Sequence, residues 1–227
     1  MTDIAVTEDL FFTRAGLDRA TAGRIVDDAL AGADDGELYL EYRQSESINL
    51  DDGCIKSASF DSAQGFGLRA VVGEAAGYAH ASDLSEAALR RAAETVKAVR
   101  SGRGGVMAGG PIGTNQSLYT DLNPLSQIPF DTKVKLLGEL DAYARGRDPR
   151  VVQVMASLSA SWQAVHILRA GGDAAADIRP LVRISVAIVC ADGDRRETGS
   201  YGAGGRVGYG EFLTPARWQA AVDEALR

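Results

Sequence analysis

The chain carries one layout twice, and that repetition limits its fold more than any other feature of the sequence. Residues 37–81 and 151–200 each hold two apolar-rich segments around a Gly/Asp turn, then a glycine-rich approach to a second pair. The first turn is Asp51-Asp52-Gly53 in one copy and Gly171-Gly172-Asp173 in the other; the second is Gly73-Glu74 and Asp192-Gly193-Asp194. Both recur at an offset of about 120 residues. That period is too long for a solenoid and suits duplication of one supersecondary unit.

Local patterning fills in the repeat. Residues 37–50 alternate, with Leu38, Leu40 and Tyr42 opposing Tyr39, Glu41 and Arg43, as a half-buried antiparallel strand requires. Asp51-Asp52-Gly53 is a hairpin signal because glycine tolerates the positive φ such turns need. Strands are expected at 37–50, 55–60, 66–72 and 75–80, and again at 151–158, 163–170, 179–191 and 195–200. Helices are expected at 7–17 and 19–31, the second with Ala22, Ile25, Val26, Ala29 and Leu30 on one face. A third, 84–99, is capped by Ser82 or Asp83 and buries Leu84, Ala88, Leu89, Ala92, Ala93, Val96 and Val99. A fourth spans 131–145, with Asp131 as cap and a stripe of Val134, Leu137 and Leu140 to Ala144. Thr214-Pro215 opens a fifth, proline being harmless in a first turn.

The order of helix, four strands and helix, twice over, predicts an α+β fold of duplicated helix–four-strand–helix units with antiparallel sheets. Along the chain this divides into a first repeat, 1–100, a glycine-rich linker and extended segment, 101–129, and a second repeat, 130–227. Residues 202–210 read as a second flexible stretch. The sequence ends inside the fifth helix, whose stripe of Trp218, Ala221, Val222, Ala225 and Leu226 needs a surface to bury against. Part of that surface is expected from residues beyond Arg227, since a helix of about 13 residues is marginal in water without packing.

Composition excludes several functions. With 227 residues, 45% hydrophobic and 24% charged, the chain can bury an ordinary soluble core. A net charge of −7, with no Lys/Arg run, argues against nucleic acid and against an anionic membrane surface. No segment approaches the roughly 20 apolar residues of a membrane span, and residues 1–9 carry three acids and no base, unlike a secretory signal. Two cysteines, Cys54 and Cys190, make no disulfide framework. The expected compartment is the cytoplasm.

Catalytic chemistry is sparse. A catalytic zinc needs three N, O or S ligands and an open position; His80 and His166 are far apart, in no H-x-x-x-H or H-E-x-x-H spacing, and neither cysteine is near them. His166, in an apolar strand, reads as a structural histidine with a partner. Cys190, in Val186-Ala187-Ile188-Val189-Cys190, reads as core, where burial makes a thiol inert. No G-x-S-x-G elbow occurs. No catalytic or metal residue is therefore assigned. Gly202-Ala203-Gly204-Gly205-Arg206-Val207-Gly208 lacks the Lys-Ser/Thr of a P-loop and the dinucleotide spacing. Its bare N–H groups with Arg206 could hold an anion or a peptide carbonyl, or the glycines could serve as a hinge or for tight packing. In Asp177-Ile178-Arg179-Pro180-Leu181-Val182-Arg183, Pro180 suits the first residue of an edge strand, and Arg179 and Arg183 could pair with Asp177 or with a partner's carboxylates. Gly204, Gly205, Arg206, Arg179 and Arg183 are thus the candidate peptide-binding or interface residues.

Six stretches, in order, resemble the TldD/PmbA family of metalloproteases: Asp52-Gly53-Cys54-Ile55-Lys56-Ser57, Gln64-Gly65-Phe66-Gly67-Leu68-Arg69-Ala70, Gly77-Tyr78-Ala79-His80-Ala81-Ser82-Asp83, Val154-Met155-Ala156-Ser157-Leu158-Ser159, Asp177 through Ser185, and Gly204-Gly205-Arg206-Val207-Gly208-Tyr209. The resemblance implies the N-terminal half of such a protein, on its TldD branch. It further implies cytosolic proteolysis of unfolded or extended peptides, assembly with a PmbA/TldE-like subunit, and an association with modulation of DNA gyrase. The family's zinc, held by an H-E-x-x-x-H helix and a later cysteine, is implied for the C-terminal half, so none is expected on this chain and the fragment alone is expected to be inactive. A substrate-facing and assembly domain is the leading expectation; a non-catalytic peptide- or protein-binding regulatory module is the alternative.

Overall fold

The computed structural model describes residues 3–98, 106–109, 112–113 and 115–227. Residues 101–105, 110, 111 and 114 of the expected linker lie outside the described residues, as does Val99 of the third expected helix. Helix α1 (Asp3–Glu8) runs into a π-helical stretch, Asp9–Arg14, and α2 (Arg19–Leu30) follows. Strands β1 (Asp35–Asp51), β2 (Cys54–Val72) and β3 (Ala75–Ala81) lead to α3 (Glu86–Lys97). The second series is α4 (Phe130–Arg147), β4 (Val151–Leu168), β5 (Ala174–Asp192), β6 (Arg195–Gly205) and α5 (Pro215–Ala225). The six strands form one sheet in the order β3-β2-β1-β4-β5-β6. The fold is α+β with antiparallel hairpins, as the patterning predicts.

All four predicted turns fall between strands. Asp52 and Gly53 both adopt positive φ, 52° and 75°, which matches the tight hairpin link that twisted antiparallel strands favour. Gly73 and Gly193, at equivalent places in the two copies, share φ values of 59° and 57°. The strand count is corrected: each copy has three strands, not four. Residues 55–60 and 66–72 belong to one strand, β2, and 151–158 and 163–168 to another, β4. Ser159-Ala160-Ser161-Trp162 contains no glycine or proline, and burial keeps alternating through it, so nothing breaks the extended backbone there.

Two compact units result: residues 1–43, 63–118 and 163–178 form one, and 44–62, 119–162 and 179–227 the other. This division differs from the one along the chain at 101–129, because β1, β2, β4 and β5 are long enough to contribute to both units.

In the first unit, α2 buries its predicted face, Ala22, Ile25, Val26, Ala29 and Leu30, and α3 buries Ala88, Leu89, Ala92, Ala93 and Val96. Asp18 caps α2 by accepting from the Thr21 N–H at 2.7 Å. The cap of α3 is Ser85, accepting from Ala88 N–H at 3.2 Å, instead of Ser82 or Asp83. Leu38, Leu40, Leu68, Ala70 and Val72 supply the buried face of the strands.

In the second unit, α4 starts at Phe130 with Pro129 at the cap position, so Asp131 lies in its first turn. Its buried face is Lys133, Leu136, Leu137, Leu140, Asp141 and Ala144. The expectation that α5 lacks part of its packing surface is corrected. Trp218, Ala221, Val222 and Ala225 are buried within this chain, Tyr143 of α4 meets the Trp218 ring edge-on at 5.6 Å, and Arg147 pairs with Asp223 at 2.9 Å. Gly199 lets the end of α5 approach β6: a methyl group there would run into the Ala225 carbonyl oxygen.

Candidate functional site

The candidate residues gather in the second unit, around the β5–β6 hairpin. Within β5, Val182, Ile184, Val186 and Ile188 are buried while Arg183 is exposed and Ser185 half-buried. A period of two thus places Arg179, Leu181, Arg183 and Ser185 on the open face. The pairing register sets Arg183 opposite Gly204, Ser185 opposite Gly202 and Val182 opposite Gly205.

The glycines have a steric reason. A Cβ on Gly202 would lie 2.6 Å from the Arg183 guanidinium and 3.3 Å from Ser185 Oγ; one on Gly204 would lie 2.6 Å from the Val182 carbonyl oxygen. Bare backbone therefore lets the Arg183 side chain lie across β6, where its Nε donates to Ser185 Oγ at 3.0 Å. Residues 202–205, expected to be a flexible loop, are the end of strand β6. Arg206 follows, exposed, with its guanidinium 5.1 Å from the centre of the Tyr119 ring.

Pro180 is corrected too. It lies inside β5, which is not an edge strand, but two residues ahead of the first β5–β6 pair, Val182 with Gly205. Beside Pro180 the neighbour β6 has already ended, so no β6 partner asks for its missing N–H.

Next to this hairpin lies a groove of about 580 Å³, lined among others by Asn49, Lys56, Ser157, Arg183, Ser185 and Tyr201. Arg183 belongs to it; Arg179, Gly204, Gly205 and Arg206 do not line it. The groove mixes apolar side chains such as Leu50, Met155 and Val186 with two cations, Lys56 and Arg183, and one carboxylate, Asp51; it is bordered by β6, whose outer side has no strand neighbour among the described residues. Such a surface can hold an extended backbone and orient its carbonyl groups. Among the described residues that line it, no serine is hydrogen-bonded to Lys56 or Asp51 as a nucleophile to its base.

Sequence reasoning missed a buried polar cluster in the same unit. Lys133 is only 1% exposed; its Nζ donates to Glu46 Oε1 at 2.6 Å and to the Leu125 carbonyl at 3.2 Å. It also lies 4.8 Å from the centre of the buried Tyr209 ring, whose hydroxyl donates to Glu46 Oε1 at 3.2 Å. Burial and the adjacent Glu46 carboxylate push the Tyr209 phenol well above its usual range. The sequence signal was a lysine in line with Leu136, Leu137 and Leu140 on a helix face, together with a tyrosine closing a glycine-rich stretch.

A zinc centre does not fit the described residues. Among them no group of three or more His, Cys, Asp or Glu comes together. His80 stacks on Tyr78 at 5.7 Å, and His166 is fully buried, its Nδ1 2.9 Å from Thr7 Oγ1. Burial, and next the nearby Arg19 charge, lower His166 to about 4. Cys54 is exposed at the start of β2 and Cys190 half-buried in β5.

Known proteins fall into place against this geometry. The sequence profile of the PmbA/TldA metallopeptidase domain 1 matches residues 36–100, and that of the PmbA/TldA metallopeptidase central domain matches 123–227. A Haemophilus influenzae protein named a metalloprotease TldD homolog is 40% identical over 184 residues, which are 79% of this chain and 38% of the relative. A Buchnera aphidicola protein of the same name is 36% identical, over 80% of this chain and 38% of its own length. The chain thus spans well under half of these relatives. Among solved structures, a Bacteroides thetaiotaomicron protein described as a modulator of DNA gyrase has a TM-score of 0.69 at 17% identity, over 92% of this chain and 49% of its own. TldE from Thermococcus kodakarensis has a TM-score of 0.63 at 17% identity, over 91% and 46%. At these identities the structural likeness is one of fold. Among the described residues no helix is long and apolar enough to cross a membrane.

Proposed function

Because the chain belongs to the PmbA/TldD metallopeptidase family, we propose that it is the substrate-facing and assembly part of a TldD-like metalloprotease acting on unfolded or extended peptides. The observation that carries this reading is the edge strand β6 beside the groove that holds Arg183. An extended peptide can add to a strand edge through main-chain hydrogen bonds, without its side chains being read. The glycines at 202 and 204 let Arg183 lie across that strand, and Arg183 and Lys56 offer cations to carbonyl oxygens or a terminal carboxylate. Indifference to sequence is the property a protease of unfolded chains requires.

On this reading peptide hydrolysis, and the zinc that would support it, belong to parts of a full-length TldD-like protein that this chain does not match. The partner is a PmbA/TldE-like subunit and the compartment the cytoplasm. Residues 1–100 and 130–227 are two copies of one ancestral unit, joined through 101–129.

The test uses an unstructured ten-residue peptide, its scrambled isomer, and a version N-methylated at alternate amides, each titrated calorimetrically. Scrambling should leave affinity within about twofold, and N-methylation should abolish binding. Equal binding of the N-methylated peptide would overturn backbone capture. Binding that scrambling destroys would favour a sequence-reading regulatory module instead.

A further inference from the structure

A second cleft, in the first unit, has a different chemistry. It encloses about 340 Å³ on the open face of β1, β2 and β3, lined by Tyr39, Glu41, Gln64, Gly67, Tyr78 and His80 among others. The pairing register explains the grouping: Gly67 pairs with His80 and Arg69 with Tyr78, so these four share one face. Arg69 bonds Glu37 and Asp35, which sets Asp35, Glu37, Tyr39 and Glu41 of β1 on that face by strand alternation.

Two features of this cleft suit a cation. Tyr78 is 62% exposed, a large amount for an aromatic ring, and stacks with His80 at 28° between ring planes. It keeps that position because residue 67 is glycine: a Cβ there would lie 2.6 Å from the Tyr78 hydroxyl. The second feature is the distribution of charge. Asp35 and Glu37 are neutralised by Arg69, and Asp35 also by Arg169 at 2.7 Å. Glu41, next along the strand face, makes no ion pair among the described residues; its carboxylate accepts from the Tyr39 hydroxyl at 2.9 Å. An exposed aromatic face beside a carboxylate without a counter-ion attracts a planar or compact cation, by ring quadrupole and by Coulomb attraction.

We propose that this cleft binds the guanidinium or ammonium group of a basic side chain on a polypeptide, with Tyr78 and His80 as the stacking platform and Glu41 as counter-ion. The proposal deepens the peptide reading above and rests on it for the source of the cation; the chemistry of the cleft stands without it. The β6 surface would accept backbone regardless of sequence, while this cleft would favour chains carrying arginine or lysine.

The test titrates the full chain with Nα-acetyl-arginine amide and with the citrulline amide, a neutral near-isostere, following Tyr78 and His80 ring resonances by NMR. Arginine amide should shift both rings, and citrulline amide should bind at least about fivefold more weakly. Glu41→Gln, which removes one charge at nearly constant shape, and Gly67→Ala, which displaces the Tyr78 ring without altering charge, should each weaken arginine binding about threefold to tenfold. Equal shifts with citrulline, or arginine binding unchanged in Glu41→Gln, would overturn the proposal. An extended neutral peptide that binds the chain while arginine amide leaves Tyr78 and His80 unmoved would overturn the cation cleft alone. Arginine amide binding in the absence of any peptide binding would support the cleft and remove the capture reading.

Discussion

His166 shows how one residue ties stability to pH. It is fully buried among Phe11, Phe12 and Thr7, with the Phe12 ring edge-on at 5.4 Å. Its Nε2 is buried with no partner to receive a second proton. Folding lowers its pKa from 6.5 to about 4, so between those values the unfolded chain binds the proton and the folded chain does not. Stability is therefore complete above about pH 6.5 and declines as pH falls towards 4, by a total on the order of 3 kcal/mol. Urea midpoints measured from pH 7 to pH 4 should fall accordingly, and His166→Asn should flatten that slope. Parallel declines in both proteins would show that other groups set the pH dependence. Lys133 poses the opposite problem, a buried charge that is satisfied. Lys133→Met strands Glu46 in the interior and should cost about 3–5 kcal/mol. The double variant Lys133→Met/Glu46→Gln should recover much of that loss, because the uncompensated charge is gone. A double-mutant cycle in urea measures both, and additive losses would mean that the pair is not coupled.

At the scale of elements, two glycines of β6 serve different tasks. Gly202 makes room for Arg183, while Gly199 makes room for α5. Gly199→Ala should lift the end of α5 from the sheet and destabilise the chain by about 1–3 kcal/mol. Gly210→Ala, where nothing lies within 4 Å of the added methyl, should be nearly neutral. Hydrogen exchange over Pro215–Ala225 reads the difference, and unchanged protection in Gly199→Ala would show that the backbone yields without loss. Elements of this kind were only partly legible in the sequence. Turns were readable because glycine and aspartate act locally, as were the faces of α2 and α3, whose apolar periodicity is unmixed. Strand merging was not, because Asp61-Ser62-Ala63-Gln64-Gly65 looks like a loop unless neighbouring strands hold it extended. Nor was the role of β6, since Gly202-Ala203-Gly204-Gly205 has no strand propensity and is extended through pairing with β5. The core stripe that periodicity predicts for α4, Val134, Leu137 and Leu140 to Ala144, leaves out Lys133, because nothing local to it reveals that Glu46, 87 residues away, will meet it.

For the whole molecule, charge decides whether the chain meets DNA directly. Non-specific DNA binding draws its strength from neutralised phosphates, and a protein making about six to ten such contacts shows a salt slope of roughly −5 to −9. This chain carries a net charge of −7, and many of its cations are engaged: Arg69 with Glu37, Lys97 with Asp28, Arg145 with Asp141, Arg147 with Asp223 and Arg150 with Asp148. The β5 surface adds Lys56 and Arg183 to its groove. Two cations correspond to a salt slope of only about −2, far below that of a DNA-binding protein. They are enough to orient a carboxylate or a carbonyl on a peptide. A labelled duplex should therefore show no retention by the chain at about 10 µM in roughly 0.15 M salt, where electrostatic binders with several phosphate contacts are retained. Retention that weakens steeply as salt rises would mean that the folded chain assembles a cationic surface strong enough to overcome its own net charge. The peptide assignment of the β5–β6 groove would then have to give way to a nucleic-acid one.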